Sequence, residues 1–396
     1  MRGTGPGASQ LRMPATVGRL SGGARANYGP AMDVCDVVVV GGGIAGASVA
    51  YELAATRSVT LLEAEPELAR HSTARSAATW IPGHGKDVVR ALIAASGPRF
   101  ARLAEELDAP PLLRPLDVLW TAGDDASEAG LTTMLAERAG EPDAPVALTP
   151  AEAEEHAPTL RPGWVRAAAR TVAASVDTDA LHQAYVRGLK ARGGAVRTAA
   201  PAQHITRDGT GWRVGDIATS LVVDAAGAWA DVVAERAGVP RIGLQPYRRT
   251  IAVARVPDRA RLHGAMVCEA LDRFYYKIEG DDLLVSPADE TPAEPGDARP
   301  DELDVAIALE RVEEATGLGL RSIRTSWAGL RSFVPDRRPV VGSWPDHPGF
   351  AFVAGQGGSG IETAPALAAF AAAVLTGAPP PPDVPVEPAA LAPTRR

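Results

Sequence analysis

The most regular hydrophobic pattern in the chain lies between Val37 and Glu63. Four consecutive valines, Val37–Val40, form a β-branched run that is typical of a strand buried on both faces. Glycines in the spacing GxGxxG follow directly, and the segment Ala47–Ala55 is helical in composition. A second apolar run, Val59–Leu62, predicts another buried strand that ends at Glu63. The pattern therefore predicts a βαβ unit.

Gly41, Gly43 and Gly46 have the spacing of a dinucleotide-binding turn. The first glycine permits the tight bend, the second lets a pyrophosphate approach the backbone, and the third lets the helix lie close to the strand. The start of the helix offers free N–H groups and a partial positive charge to phosphates. Glu63 follows about 20 residues on, where a carboxylate accepts hydrogen bonds from an adenosine ribose. The alternative is a unit whose glycines serve only packing, and the motif alone does not distinguish NAD from FAD.

A polar segment, His71–Trp80, follows the second strand and reads HSTARSAATW. Its hydroxyl groups and Arg75 can hold a pyrophosphate by hydrogen bonds and charge. The alternative is an ordinary polar start of a helix.

The middle of the chain alternates between helical and strand patterns. A capping box with proline at the first helical position predicts a helix start at Thr149. Gln245–Arg255 alternates like a strand, and further short strand patterns follow it. The segment Asp301–Thr316 is amphipathic, with one face made of Leu303, Ile307, Val312 and Ala315. These patterns predict an antiparallel sheet with a helix.

A second glycine-rich turn lies in the last third of the chain. The apolar run Phe350–Ala354 predicts a strand that leads into Gly355–Gly360, which reads GQGGSG. A long alanine-rich helix follows to about Thr376. The N-terminus of such a helix can stabilise negative charge that develops on a bound group. The alternative is a glycine loop for packing alone.

Composition and charge narrow the class of protein. The 396 residues suffice for two domains and a large core. A net charge of −8 argues against nucleic acid or an anionic membrane as the main partner. Two cysteines, Cys35 and Cys268, fit a reducing cytosol, and the lack of clustered His and Cys predicts no metal site. No apolar run reaches the roughly 18 residues that span a bilayer. We expect a cytoplasmic protein without a transmembrane segment.

The two ends of the chain differ from the rest in composition. Residues 1–31 are rich in Gly, Ala, Arg and Ser, which predicts a disordered N-terminal extension without the apolar core of a signal peptide. Met32 precedes the first strand, so a translation start there is one interpretation and a flexible extension is the other. The tail 379–396 begins with a proline run, and we predict that it is extended and partly disordered.

The segment HSTARSAA after a GxGxxG unit resembles the D-amino-acid oxidase-like (DAO) superfamily of FAD enzymes, and within it the bacterial FAD-dependent D-arginine dehydrogenases. The resemblance continues in the same order through DTDALHQAYVRG, GLQPYRRT, RFYYK, TSWAGLRSFVPD and GQGGSGIET. It implies an α/β fold of two domains. A discontinuous, Rossmann-like FAD-binding domain is expected over 32–85, 150–244 and 325–378. A substrate domain with an antiparallel sheet is expected over 86–149 and 245–324.

The resemblance and the glycine motifs together give a predicted FAD site. It consists of Gly41, Gly43, Ala45, Gly46, Glu63, Ala64, Ser72, Thr73, Arg75, Ser76, Ala77, Ala202, Gly227, Gly329, Gly357, Gly358, Ser359, Gly360, Ile361 and Glu362. In covalent flavoproteins of this superfamily the linking cysteine normally lies in the strand of Arg331. No cysteine lies near Arg331 in this sequence, so we expect non-covalent FAD.

The resemblance also implies a substrate site. A flavin accepts a hydride at N5, so the protein must hold a C–H bond against that atom. A guanidinium binds a carboxylate in a two-pronged fork, and Arg331 and Arg249 lie in the motifs that the family uses for this. Arg248 is the alternative to its neighbour Arg249. Tyr275 resembles the family tyrosine whose hydroxyl meets the substrate, and its alternative is a packed aromatic.

Several positions depart from the D-arginine enzymes. Thr79 replaces an active-site histidine, His84 replaces a mobile tyrosine, and Glu362 replaces a glutamine near the flavin. The acid that binds the guanidinium of D-arginine would fall near Asp117. His84 is either a general base or a solvated loop histidine. A carboxylate at Glu362 disfavours an anionic reduced flavin unless it is protonated or turned away.

We therefore expect an enzyme that oxidises the Cα–N bond of a D-amino acid to an imino acid, which hydrolyses to a 2-oxo acid and ammonia. The electrons pass to oxygen or a quinone. Oxidation of glycine, sarcosine or another secondary amine is the closest alternative. An FAD monooxygenase that uses NADPH and a non-catalytic FAD-binding protein are alternatives of another class.

Overall fold

The computed structural model describes residues 33–85 and 87–395. The predictions for residues 1–31 and for Met32 lie outside the described residues. No helix in the described part is long and apolar enough to pass through a bilayer.

The strands of the described residues are numbered in chain order. They are β1 (Asp33–Val40), β2 (Val59–Leu62), β3 (Thr79–Trp80), β4 (Leu113–Ala122), β5 (Val146–Leu148), β6 (Ala167–Val176), β7 (Ala195–Arg197), β8 (Ile205–Asp208), β9 (Gly211–Val214), β10 (Ile217–Asp224), β11 (Gln245–Arg255), β12 (Met266–Glu269), β13 (Tyr275–Glu279), β14 (Asp282–Ser286), β15 (Thr291–Pro292), β16 (Ile323–Phe333), β17 (Val340–Ser343) and β18 (Phe350–Ala354). The bounds predicted for β2, β11 and β18 are confirmed.

The helices of the same residues are numbered likewise. They are α1 (Ile44–Leu53), α2 (Asp87–Glu106), α3 (Asp125–Glu137), α4 (Pro150–His156), α5 (Thr178–Ala191), α6 (Ala230–Arg236), α7 (Glu302–Thr316) and α8 (Gly360–Thr376). The capping box predicted at Thr149 is confirmed at the start of α4. Helix α1 begins at Ile44, three residues before the predicted start, because Gly43 is already its extended N-cap.

The first sheet has eight strands within the described residues, and its main path is β17-β18-β10-β1-β2-β7. Strand β1 is parallel to both β2 and β10, with Val40 opposite Leu62 on one side and Asp224 on the other. The carboxyl ends of these three strands therefore meet at the first glycine turn, where ligands bind in such sheets. Helices α1, α2, α5 and α8 contribute apolar residues to the core on one face of this sheet.

The second sheet has ten strands within the described residues, on the main path β15-β11-β14-β13-β12-β4-β6-β3, with β16 beside β11 and β5 beside β6. Strands β11 and β16 are antiparallel, with Arg249 opposite Gly329 and Tyr247 opposite Arg331. Side chains two residues apart in a strand share a face, so Arg249 and Arg331 project from the same side of this ladder.

Three elements lie in a different part of the fold from the predicted domain ranges. Strands β6 and β16 fall in ranges predicted for the FAD-binding domain, but they belong to the second sheet because each pairs along its length with a strand of that sheet. Helix α2 falls in the predicted substrate domain, but its Leu92 and Phe100 pack into the core of the first sheet. The exact domain boundaries stay a prediction.

The predicted disorder of the tail is wrong for the described residues up to 395. Val384, Val386 and Leu391 are buried in the core of the first sheet. The backbone N–H of Val341 donates to the carbonyl of Leu391 at 2.8 Å. The apolar side chains that follow the proline run are therefore buried against the first sheet, which orders the tail.

The predicted apolar face of α7 is also partly wrong. Leu303 is 67% exposed, and the buried residues of the helix are Ala308, Val312, Ala315 and Thr316. These positions recur at i, i+4, i+7 and i+8, which defines one helical face. Leu303 precedes that face in the first turn.

Candidate active site

A cavity of about 640 Å³ lies at the carboxyl ends of β1, β2 and β10 and reaches the second sheet. All the predicted site residues line it except Gly46 and Ser359. A Cβ on Gly46 would lie 1.8 Å from the carbonyl oxygen of Gly41, so Gly46 allows α1 to contact the turn behind the cavity. Ser359 is buried at the start of α8, where its carbonyl accepts a hydrogen bond from Thr363.

The first glycine turn and Glu63 form one end of the cavity. Glu63 Oε2 accepts the N–H of Gly42 at 2.7 Å, and Oε1 accepts the N–H of Glu65 at 2.8 Å. Gly43 has no side chain with which to cap α1. Thr73 Oγ1 instead accepts the N–H of Ile44 at 3.0 Å. The carboxylate is thus fixed by two backbone N–H groups, and the helix N-terminus is capped by the side chain of Thr73.

The polar segment 71–80 joins the two sheets beside the cavity. Ser72 Oγ donates to the carbonyl of Leu330 at 2.7 Å, and Ser76 Oγ accepts the N–H of Ala78 at 3.0 Å. Arg75 donates to the carbonyls of Ala298 and Ala328, each at 2.9 Å, and pairs with Asp297. Its guanidinium is held by these groups at the edge of the cavity, and a role toward a phosphate stays a prediction.

The second glycine turn lies beneath Arg331. A Cβ on Gly358 would lie 2.2 Å from Arg331 Nη2, and one on Gly357 would lie 2.0 Å from the ring of Phe333. The N–H of Gly357 donates to the carbonyl of Ser332 at 3.0 Å. The missing side chains therefore let the turn approach β16 and let the Arg331 guanidinium lie across it.

Two guanidinium groups form the other end of the cavity. Arg331 Nη1 lies 3.1 Å from Glu290 Oε1. Arg249 Nε donates to the carbonyl of Asp289 at 2.8 Å, whereas its buried Nη2 makes no hydrogen bond within the described residues and lies 3.7 Å from Glu290 Oε1. Burial lowers the pKa of Arg331, and the neighbouring Arg249 lowers it further. The pair is therefore suited to bind an anion.

The strand alternation resolves the choice between Arg248 and Arg249. Arg248 does not line the cavity and pairs with Asp304 at 2.7 Å on the other face of β11. Tyr275 is buried in the cavity wall, with its ring centroid 6.0 Å from Arg249 Cζ. Thr79 Oγ1 lies 3.6 Å from the sulfur of Met266.

His84 and Glu362 both line the cavity and contact each other. His84 Nδ1 lies 2.9 Å from Glu362 Oε1, and the N–H of Ile81 donates to Oε2 at 3.2 Å. Burial lowers the pKa of His84, but the charge and hydrogen bond of Glu362 oppose this and the net shift is upward. His84 is therefore a partner of a buried carboxylate and not only a solvated loop histidine.

Two findings were not predicted from the sequence. His182 Nε2 lies 2.9 Å from the carbonyl of Gly42, so α5 supports the glycine turn from behind. A histidine on the buried face of α5, beside Leu181 and Tyr185, was the available signal. Asp117 pairs with Arg170 at 3.1 Å and does not line the cavity, so it does not supply the acid of the D-arginine enzymes.

The family described as FAD dependent oxidoreductase (DAO) matches residues 36–374. The chain belongs to this family. A curated relative, the glycine oxidase of Pseudomonas putida, is 28% identical over 382 residues, which cover 91% of this chain and 98% of that protein. This DAO-family chain is thus an FAD-dependent oxidoreductase of the group that acts on amino acids or amines.

Solved structures of other proteins share the DAO fold. The glycine oxidase of Geobacillus kaustophilus superposes with a TM-score of 0.81 at 21% identity, over 92% of this chain and 99% of that one. The L-proline dehydrogenase of P. horikoshii superposes with a TM-score of 0.80 at 22% identity, over 92% and 98%. These identities show the fold alone.

The residues of the cavity fit FAD. Glu63 is fixed at the carboxyl end of β2, where an adenosine ribose is bound in such folds. The first turn of α1 is reached through Gly43, and a Cβ there would lie 3.1 Å from Thr73 Oγ1 and narrow the passage between the turn and segment 71–80. The guanidinium pair lies at the opposite end, as a substrate site beside the flavin requires.

Proposed function

We propose that this protein oxidises the Cα–N bond of a D-amino acid to an imino acid, which then hydrolyses to a 2-oxo acid and ammonia. The observation that carries the proposal is the pair of guanidinium groups, Arg331 and Arg249, at the second-sheet end of the cavity. Bound FAD supplies the hydride acceptor. The protein's task is then to hold the substrate carbon in a fixed position, which a carboxylate anchor achieves.

The surroundings of the two arginines support a carboxylate as their ligand. Glu290 approaches Arg331 Nη1 at 3.1 Å and Arg337 Nη2 at 2.8 Å, so a carboxylate of the protein already pairs with this cationic cluster. The buried Nη2 of Arg249 has no hydrogen-bond acceptor in the described residues and would gain one from a substrate. Tyr275 lines the same cavity, so its hydroxyl is the third candidate contact to the substrate.

Oxidation of glycine, sarcosine or another secondary amine is the second candidate. It is supported by the relation to the glycine oxidase of Pseudomonas putida, which extends over 98% of that protein. The carboxylate anchor serves both candidates equally, because glycine and sarcosine carry the same carboxylate as a D-amino acid.

Anaerobic reduction of the bound FAD tests the proposal. D-amino acids are mixed with the protein alongside glycine, sarcosine, L-proline and L-amino acids, and the flavin absorbance is followed. Bleaching by D-amino acids supports the first candidate, and bleaching by glycine or sarcosine alone supports the second. Bleaching by none of them, or consumption of NADPH, overturns both. The yield of hydrogen peroxide in air then distinguishes oxygen from a quinone as the acceptor.

We also propose that the FAD is not covalently bound. Strand β16, which carries Arg331, has no cysteine. Acid precipitation should therefore release the flavin into the supernatant, whereas a yellow pellet would contradict this. The cytoplasmic location stays a prediction.

A further inference from the structure

The contact between His84 and Glu362 has the geometry of an oriented base. Glu362 lies in the first turn of α8 and is 4% exposed, and its two oxygens meet His84 Nδ1 and the N–H of Ile81. A carboxylate accepts hydrogen bonds, so the ring proton of a neutral His84 lies on Nδ1. The lone pair is then on Nε2. The same division of roles orients a histidine base in hydrolytic triads.

The position of His84 makes Nε2 available to a ligand. The side chain of His84 is 37% exposed and lines the same cavity as Arg331 and Arg249. Within the described residues, Nδ1 is the ring atom that makes a hydrogen bond, and Nε2 makes none.

The proposed reaction needs the substrate amine in its neutral form. An amino acid carries an ammonium group near neutral pH, whereas the lone pair of the neutral amine must form the C=N bond. We propose that His84, oriented by Glu362, takes the proton from the ammonium group of the bound substrate. The N–H bond breaks, its electron pair stays on the substrate nitrogen, and the proton goes to His84 Nε2. The inference rests on the proposed function and adds a catalytic residue to it.

The charges that face His84 come from three elements. Glu362 on α8 favours the imidazolium, Asp272 after β12 favours it more weakly, and Arg331 on β16 disfavours it. A new imidazolium is thus balanced by Glu362 as soon as it forms. The upward net shift keeps the pKa of His84 on the basic side of an ordinary histidine, which strengthens it as an acceptor.

The test compares His84→Gln and Glu362→Gln with the wild-type holoenzyme. The substrate is the one that bleaches the flavin best, and kcat/KM is measured against pH. We expect the wild-type value to fall at acidic pH with the protonation of His84. His84→Gln should lose this acidic limb of the pH profile, and its kcat/KM should be roughly 10²–10⁴-fold lower than wild type at neutral pH. It should recover toward wild type above the ammonium pKa of the substrate, where no base is needed. Glu362→Gln should shift the limb to lower pH.

The control is His156→Gln, because His156 also faces a carboxylate, Asp117 at 3.7 Å, but lies outside the cavity. It should keep the wild-type profile. A readout that does not depend on activity is the NMR titration of His84, whose pKa should fall in Glu362→Gln.

The outcomes separate this inference from the proposed function. If the substrate bleaches the flavin but His84→Gln keeps the wild-type pH profile, the assignment of His84 as the base is refuted, and the proposed function is still supported. A loss of rate that does not recover at high pH would likewise overturn the base, because it would mark His84 as structural. If Glu362→Gln leaves the His84 titration unchanged, the pairing itself is refuted.

Discussion

Gly358 controls the position of the carboxylate anchor, and Gly358→Ala tests this directly. The added Cβ would lie 2.2 Å from Arg331 Nη2, 2.5 Å from Nε and 2.6 Å from Cζ. Ordinary contacts begin at 3.4 Å, so the guanidinium has to recede by about 1.2 Å. A misplacement of about 1 Å in a positioning group costs on the order of 10²-fold in rate. We therefore expect kcat/KM to fall about 100-fold.

The control is Gly296→Ala, outside the cavity. A Cβ there would lie 3.9 Å from the carbonyl oxygen of Glu294, which is an ordinary contact. This variant should keep kcat/KM within a factor of about 3, since surface substitutions of this kind change stability little.

The assay is anaerobic stopped-flow bleaching, with FAD content and the thermal midpoint measured in parallel. The displaced atoms are at the free end of a long side chain, so Gly358→Ala should unfold close to the wild-type temperature. A variant that binds FAD and keeps the wild-type kcat/KM would refute the reasoning, because Arg331 would then not be needed where it lies.

Three further predictions concern the cofactor end and stability. Glu63→Gln places an amide NH₂ against one of two backbone N–H groups, so the Kd for FAD, measured by fluorescence, should rise about tenfold or more. Burial lowers the pKa of His182 below its ordinary value of 6.5, so at acidic pH the unfolded chain binds a proton that the native state does not. The free energy of unfolding should therefore fall as the pH drops below 6.5. His182→Gln should flatten this pH dependence, as measured by urea titrations at several pH values. Leu391→Ala should cost roughly 2–5 kcal/mol, whereas the exposed Leu303→Ala should change the unfolding midpoint little.

The sequence predicts those parts of the site that depend on local chain geometry. The strand, glycine turn and helix around Gly41 are encoded within one short segment, and Gln245–Arg255 shows its strand alternation directly. The alternation places Arg248 and Arg249 on opposite faces of β11, but only the fold shows that Arg249 is the one that lines the cavity. In these places the repeat of the strand or helix along the chain determines which structure forms.

The remaining features depend on contacts between distant segments. His84 and Glu362 are separated by 278 positions, so no local pattern brings them together. The charge of Arg75 is visible in the sequence, whereas two of its acceptors, the carbonyls of Ala298 and Ala328, are backbone groups that carry no sequence signal. The tail was misjudged because its prolines dominate the composition, while Leu391 finds its burial only in the folded core.

The ladder between β11 and β16 has a consequence for engineering. Because Arg249 and Arg331 extend from two hydrogen-bonded strands, the separation of their Cα atoms is set by the backbone of that strand pair. Thr79, Trp120 and Met266 line the same cavity from β3, β4 and β12, outside this strand pair. New amines should therefore be accommodated by substitutions at these three positions while the recognition of the acid group is retained.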